Sequence, residues 1–214
     1  MRFHLAVVYG IVLVILLIAF RQFFVMLEKK KQDFRLLVVI SVLTALSVTG
    51  RLVFAILPGF KPVTAVVIIS GIYFGKEAGF LTGSLTALIS NLYFGQGAWT
   101  PFQMIVWGII GGIAGIGSGF LRNHRFGLYL YSAASGAIYS LLMDIYTVLW
   151  IDGYLNGSRY LTALLTSLPF TVIYAVSNVI FMMVLRKPIG RKLMRVRKKF
   201  GLESLENAAQ SVRK

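Results

Sequence analysis

Most of the residues that could bind a small molecule lie in or beside one segment of this chain. Residues 94–103 read Phe-Gly-Gln-Gly-Ala-Trp-Thr-Pro-Phe-Gln. The amides of Gln96 and Gln103 can donate and accept hydrogen bonds, and Trp99 offers a large face for stacking. Because tryptophan is also common where a helix leaves a bilayer, an ordinary interfacial turn is the alternative to a ligand-binding loop.

Further candidates are polar or charged residues within or next to strongly apolar stretches. Asn91 and Asp144 lie inside such stretches, where polar side chains usually face the bundle interior or a cavity. Arg51 and Lys61 lie near the ends of such stretches. Each could hold a polar ligand. Alternatively, a neighbouring hydroxyl or amide satisfies Asp144, and the basic side chains reach to lipid headgroups.

Patterns that support common forms of catalysis are missing from the sequence. It contains no G-x-x-x-x-G-K-[ST] phosphate loop and no H-E-x-x-H zinc motif. There is no cysteine, and the two histidines, His4 and His124, are far apart in the chain. We therefore expect no enzymatic activity, no bound metal and no cofactor.

The segments that carry these residues are apolar enough to cross a membrane. Hydrophobic residues make up 57% of the 214 residues and charged residues 14%, which is unusual for a soluble domain. A bilayer needs about 20 apolar residues per helix. We predict seven helices, at 5–27, 36–57, 63–75, 78–94, 103–121, 127–150 and 160–185.

The predicted fold is an all-α, polytopic membrane helix bundle with three regions. Residues 1–35 form an N-terminal transmembrane helix and a basic loop, 36–185 a six-helix core, and 186–214 a basic tail. A signal peptide is the alternative for the first helix, but no small-x-small cleavage site follows it. The tail is either an amphipathic helix on the membrane surface or a solvated run of charges.

Basic residues predict the orientation. The formal net charge is +15, and the Lys and Arg residues avoid the apolar segments. They gather in alternate joints and in the tail, as for cytoplasmic loops, whereas the other joints hold only Lys61, Arg159 and, near a helix end, Arg51. We predict a multi-pass protein of the bacterial cell membrane with its N-terminus outside and its C-terminus in the cytoplasm. This distribution favours contacts with membrane lipid, and we expect no nucleic-acid partner.

Small residues recur at four-residue spacing, which places them on one helix face. Gly71, Gly75, Gly79 and Gly83 form one such series, and Gly111, Gly115 and Gly119 form another. Packing within the bundle is the expected role of both glycine series. A third stripe, Ser41/Ala45/Thr49, is a candidate surface for a partner subunit.

Four segments together resemble the substrate-binding S components of energy-coupling factor (ECF) transporters. They are Arg-Leu-Val-Phe-Ala-Ile-Leu-Pro-Gly-Phe-Lys-Pro at 51–62, Phe-Gly-Lys-Glu-Ala-Gly-Phe-Leu-Thr-Gly at 74–83, Ser-Asn at 90–91, and residues 94–103. The resemblance covers about 36–185 and is closest to the branch assigned to cobalamin. It implies a six-helix vitamin-binding core that captures its ligand from outside, with ATP hydrolysed by two separate ATPase subunits.

The resemblance also implies a partner and a mechanism. S components dock on a transmembrane coupling subunit through an Ala-x-x-x-Ala stripe on the first core helix, for which Ser41/Ala45/Thr49 is the comparable stripe here. The S component then topples in the membrane to release its ligand inward. An outer cavity with Asn91, Gln96, Trp99, Gln103 and Tyr154 would suit cobalamin or a related corrinoid. The alternatives are an S component for another vitamin or small molecule, a stand-alone carrier, and a structural or assembly protein without a small ligand.

Overall fold

The structure is a computed structural model that describes residues 34–200 as a helix bundle. The helices of this region are α1 (Phe34–Val53), α2 (Val63–Phe94), α3 (Trp99–Ile116), α4 (Ser118–Asn123), α5 (Arg125–Asp152) and α6 (Gly157–Lys199). Within it, all except the short α4 are long and apolar enough to cross a membrane. The prediction of an all-α, polytopic membrane helix bundle is therefore confirmed. The predicted N-terminal helix at 5–27 lies outside the described residues.

Helix α2 is a hairpin of two antiparallel arms. Gly75 has φ 89° and ψ 176°, which interrupts the helix and is a conformation that glycine adopts without the penalty of a Cβ atom. The Ser70 hydroxyl lies 2.8 Å from the Thr82 hydroxyl, whereas residues twelve apart in a straight helix are about 18 Å apart. The arms, 63–74 and 76–94, correspond to the third and fourth predicted helices.

The first arm of α2 forms the centre of the bundle. Every residue from 63 to 72 is buried, and Val67 and Ile68 have no exposed surface. Twelve helical residues span about 18 Å, less than the roughly 30 Å of a bilayer core. An apolar helix without a polar face is stable only when protein surrounds it, so this arm depends on the longer helices around it.

Glycines allow the arms of α2 to approach α3 closely. A Cβ atom on Gly79 would collide with the backbone of both Gly111 and Gly71, and one on Gly83 would collide with the backbone of α3. The expectation of packing within the bundle therefore holds for these positions. Gly75 forms the hairpin turn, and its backbone also lies against Gly115 of α3. The expectation does not hold for Gly119, where a Cβ atom would meet no atom within 4 Å.

Helix α6 continues well past the predicted end of its span at residue 185. It runs through Pro188 to Lys199, and its last part packs beneath the bundle. Gly190 lies against the ring of Tyr73, and the Phe200 carbonyl accepts a hydrogen bond of 3.0 Å from Arg35. Because Leu193 is buried in the core while Lys192 and Arg195 are exposed, this part of the tail is an amphipathic helix.

The helices connect at two ends of the bundle. The Trp99 end carries the joints 54–62, 95–98 and 153–156, and the Gly75 end carries Gly75, the region around α4, the start of α1 and the last part of α6. Helix α3 begins at Trp99, four residues before its predicted start. Pro101 lies in its first turn, where the missing N–H has no helical partner to lose. Most of the predicted ligand loop is therefore helical.

Candidate functional site

Arg51 occupies the centre of the candidate site, near the end of α1. It follows Leu43 and Ser47, which are buried on the inner face of that helix, at a spacing that keeps it on the same face. Its Nη1 donates hydrogen bonds to the hydroxyl of Ser90 and, at 2.8 Å, to Oδ1 of Asn91. The structure thus brings together two predicted site residues, Arg51 of α1 and Asn91 of the second arm of α2.

A chain of hydrogen bonds extends from Asn91 across the bundle. Its Nδ2 donates to Thr100 Oγ1 at 2.9 Å and to Gln103 Oε1 at 2.8 Å. Gln103 in turn donates to the Tyr139 hydroxyl at 2.6 Å. We call Arg51, Ser90, Asn91, Thr100, Gln103 and Tyr139 the Arg51 network. Asn91 and Gln103 are only 1% and 4% exposed, so in this structure they hold Arg51 and Tyr139 in position.

Aromatic rings surround the charged end of this network. The guanidinium carbon of Arg51 lies 4.5 Å from the ring centre of Phe94 and 5.2 Å from that of Trp107, within the range of cation–π attraction. Trp107 stacks on Tyr139 with ring centres 5.2 Å apart, and Tyr139 meets Tyr174 edge-on. We call Phe94, Trp107, Tyr139 and Tyr174 the aromatic wall. It lies next to Arg51, which among the described residues is the only cation on the inner face of α1.

Lys61 approaches the same wall from the loop that joins α1 to α2. Its ammonium group lies 4.9 Å from the ring centre of Phe94, and its backbone N–H donates to the Ser177 hydroxyl at 3.0 Å. Partial burial of the side chain, together with the positive charge of Arg51, lowers the pKa of Lys61. The cations of Arg51 and Lys61 therefore both lie against the ring of Phe94. A ligand with negative or carbonyl oxygen atoms at this place would reduce the repulsion between the two charges.

The remaining predicted ligand residues lie outside the Arg51 network. Asp144 accepts a hydrogen bond of 2.5 Å from Ser167. This agrees with the alternative role of Asp144, in which a neighbouring hydroxyl satisfies its carboxylate. Gln96 donates to the Leu88 carbonyl, and Trp99 and Tyr154 are 42% and 57% exposed at the Trp99 end. Ligand contact by any of these residues stays a prediction.

Tyr139 and Tyr174 were not among the predicted site residues, although they complete the wall. Both carry hydroxyl groups in the middle of apolar helices, which is the signal that pointed to Asn91 and Asp144. Thr100 was missed for another reason. It was taken as part of a loop, but it lies in the first turn of α3 and is 3% exposed.

The predicted docking stripe lies on the outer surface of α1. Ser41, Ala45 and Thr49 are all exposed, on the side away from the buried Leu43 and Ser47. Ser41 uses its hydroxyl to bond the Leu37 carbonyl of its own helix at 2.9 Å. The stripe is accessible to another membrane protein, and docking there stays a prediction.

The described residues contain no group of three His, Cys, Asp or Glu side chains placed to hold a metal ion. Comparison with known proteins gives one family. Residues 31–191, more than half of the chain, match a family model described as "ECF-type riboflavin transporter, S component". No curated protein and no solved structure matches the chain significantly.

Proposed function

The chain belongs to the family of ECF-type riboflavin transporter S components, and on that premise we propose that it captures a vitamin at the Trp99 end of the bundle. The family consists of transporter subunits rather than enzymes, and it implies an ECF module as the partner. Which vitamin is bound is part of the proposal. The Arg51 network and its aromatic wall are the structural features that support this end as the binding site.

The observation that carries the proposal is which N–H donors of the Arg51 guanidinium are already bonded within the protein. A guanidinium has five N–H donors, and the described residues accept hydrogen bonds only from Nη1. The donors of Nη2 and Nε remain for a ligand, between the rings of Phe94 and Trp107. A planar aromatic ligand with carbonyl and ring-nitrogen acceptors could stack on the wall and accept from Arg51 at once.

Riboflavin is the vitamin that fits this chemistry best. Its isoalloxazine ring is flat, aromatic and edged with carbonyl oxygens and nitrogens, and the matched family model names riboflavin. Cobalamin, suggested by the resemblance of about 36–185 to the branch assigned to that vitamin, stays a prediction and is the second candidate. Its corrin ring is larger and presents amide groups at its edge, and these groups would contact the exposed side chains of Gln96, Trp99 and Tyr154.

A binding experiment on the purified protein separates these candidates. Riboflavin is titrated into the protein in detergent while its fluorescence is followed, because stacking on tryptophan and tyrosine rings quenches flavin emission. We expect saturable one-to-one quenching that excess cobalamin does not reverse. Cobalamin retained by the protein, with no riboflavin bound, would overturn the flavin assignment. If well-folded protein bound neither vitamin, the proposed capture of these vitamins at this end would fail.

Transport adds an orientation and a mechanism to the proposal. The Trp99 end would face outward and the Gly75 end the cytoplasm, which the excess of basic residues at the Gly75 end supports. The exposed stripe Ser41/Ala45/Thr49 would dock on the coupling subunit, and two ATPase subunits would drive release by toppling of the bundle. The many exposed apolar side chains on the outer faces of α1 and α6 are compatible with movement through lipid.

A further inference from the structure

A cavity lies at the Gly75 end of the bundle, away from the Arg51 network. Its volume is about 470 Å³. It forms between the start of α5, the second half of α6 and the end of the first arm of α2. Its lining consists of Tyr73, Arg125, Tyr129, Met183, Arg186, Lys187, Arg191 and Met194. We call it the basic cavity.

Among the described residues, the lining of the basic cavity contains four cationic side chains and no acidic one. Arg186 donates one hydrogen bond to the Arg122 carbonyl at 2.8 Å, and Nε of Arg191 donates to the Lys187 carbonyl at 3.3 Å. Both acceptors are neutral carbonyl groups, so these two bonds to described residues do not compensate the positive charges. Like charges that converge on one concave surface raise the local positive potential and favour an anion there.

The start of α5 adds to this potential. Arg125 is its first residue, His124 supplies no side-chain cap, and the first turn contains no acidic residue. The first N–H groups of a helix have no acceptor within the helix, and they carry a partial positive charge. The four cations of the lining, beside this helix start, suit a phosphate group, which offers several acceptor oxygens.

Two methionines indicate where such a phosphate comes from. Met183 and Met194 line the cavity and are 52% and 45% exposed, so an apolar surface adjoins the cationic one. The cavity also lies at one end of helices that are long and apolar enough to cross a membrane, and headgroups are expected near such helix ends. A soluble phosphate would use the cations alone, whereas a phospholipid would use both surfaces.

We propose that the basic cavity binds the phosphate headgroup of an anionic phospholipid, with the adjoining acyl chain lying against Met183 and Met194. A lipid bound there connects the last part of α6 to the start of α5. The site is separate from vitamin capture, because none of its lining residues belongs to the Arg51 network or the aromatic wall.

The test compares two triple variants of the full chain in detergent. The cavity variant carries Arg125→Gln, Lys187→Gln and Arg191→Gln, and the control carries Lys192→Gln, Arg195→Gln and Lys198→Gln. The control removes the same charge from exposed positions of α6 that do not line the cavity. Binding of phosphatidylglycerol, phosphatidylcholine and glycerol phosphate is measured by native mass spectrometry, and riboflavin binding and thermal unfolding report on the fold.

We expect phosphatidylglycerol to bind the wild type and the control alike, and the cavity variant on the order of 100-fold more weakly, since each basic residue near an anionic lipid contributes about fivefold. Phosphatidylcholine should bind weakly to all three proteins. Equal weakening in both variants would show diffuse surface attraction and overturn the site. Glycerol phosphate binding as tightly as the lipid would overturn the lipid as the ligand. A cavity variant that unfolds is replaced by Lys187→Gln alone, for which about a fivefold loss is expected and an unchanged affinity counts against the site.

Discussion

Arg51 is held in place by neutral acceptors, which leaves its charge available. Ser90 and Asn91 fix one end of the guanidinium, and Asn91 is itself held by Thr100 and Gln103. A buried polar network is stable only when its members are satisfied, and here the bonds of the amides are made within the protein. If Arg51 binds the vitamin as proposed, we expect Asn91 and Gln103 to position Arg51 rather than to contact the ligand.

Replacement of Arg51 by glutamine tests this division of roles. The substitution removes the charge and the donors that the proposed function assigns to the ligand, so we expect riboflavin affinity to fall by roughly 10- to 100-fold, as for the loss of a hydrogen bond to a charged group. Flavin fluorescence titration measures the change. Arg159→Gln is the control, because Arg159 is an exposed cation of the same end that pairs with Asp152 at 2.7 Å. Equal affinities in wild type and Arg51→Gln would remove Arg51 from the site.

At the scale of helices, the hairpin of α2 and its contact with α3 position the Arg51 network. Three glycines, Gly71, Gly79 and Gly111, meet where the two arms and α3 are closest. Small residues allow backbones to approach and increase van der Waals contact between helices in a membrane. The second arm carries Ser90 and Asn91, so its distance from α3 determines whether Asn91 reaches Thr100 and Gln103.

A single methyl group at this contact should therefore destabilise the protein. We expect Gly79→Ala to cost about 1–3 kcal/mol, as for overpacking of a core, because its Cβ would collide with the Gly111 backbone. Thermal unfolding in detergent measures the loss. The same substitution at Gly119, where a Cβ atom meets nothing within 4 Å, should leave the unfolding temperature nearly unchanged. If the two variants behaved alike, the close contact would not limit stability.

At the scale of the whole molecule, the orientation can be tested directly, because the chain contains no cysteine. Single-cysteine variants Tyr154→Cys and His124→Cys place one thiol at each end of the bundle, both at exposed positions. We expect a membrane-impermeant maleimide to label Tyr154→Cys in intact cells and His124→Cys only after permeabilisation. The reverse pattern would invert the predicted topology and place the Arg51 network at the cytoplasmic side.

The outer face of α1 is the predicted docking surface for the coupling subunit. Ala45→Trp places a large ring in the middle of the stripe, so we expect it to abolish co-purification with the coupling subunit while riboflavin binding persists. Val172→Trp is the control, because Val172 is exposed on α6 and lies away from the stripe. Co-purification that survives Ala45→Trp but not Val172→Trp would move the docking surface from α1 to α6.

The class of protein and the number of core helices follow from the sequence alone. Apolar residues in runs of bilayer length, broken by glycine, proline and basic residues, have one stable arrangement in lipid, because each backbone polar group must be bonded within its own helix. Arg51, Asn91 and Gln103 could be selected for the same local reason, since polar groups are rare and costly in such runs. The sequence also predicts the helix at 63–75, although it is shorter than the other spans.

Which of these residues meet depends on how the helices pack in three dimensions. Tyr139 lies 36 residues from Gln103, and its contact depends on the packing of α5 against α3, which no local pattern encodes. The same holds for Asp144, which a hydroxyl of α6 satisfies, and for the end of α6, which packs beneath α1 and α2. Local sequence determines which segments become helices, because backbone hydrogen bonds are short-range. The site depends on side-chain contacts between segments, and those are set by the shape of the packed bundle.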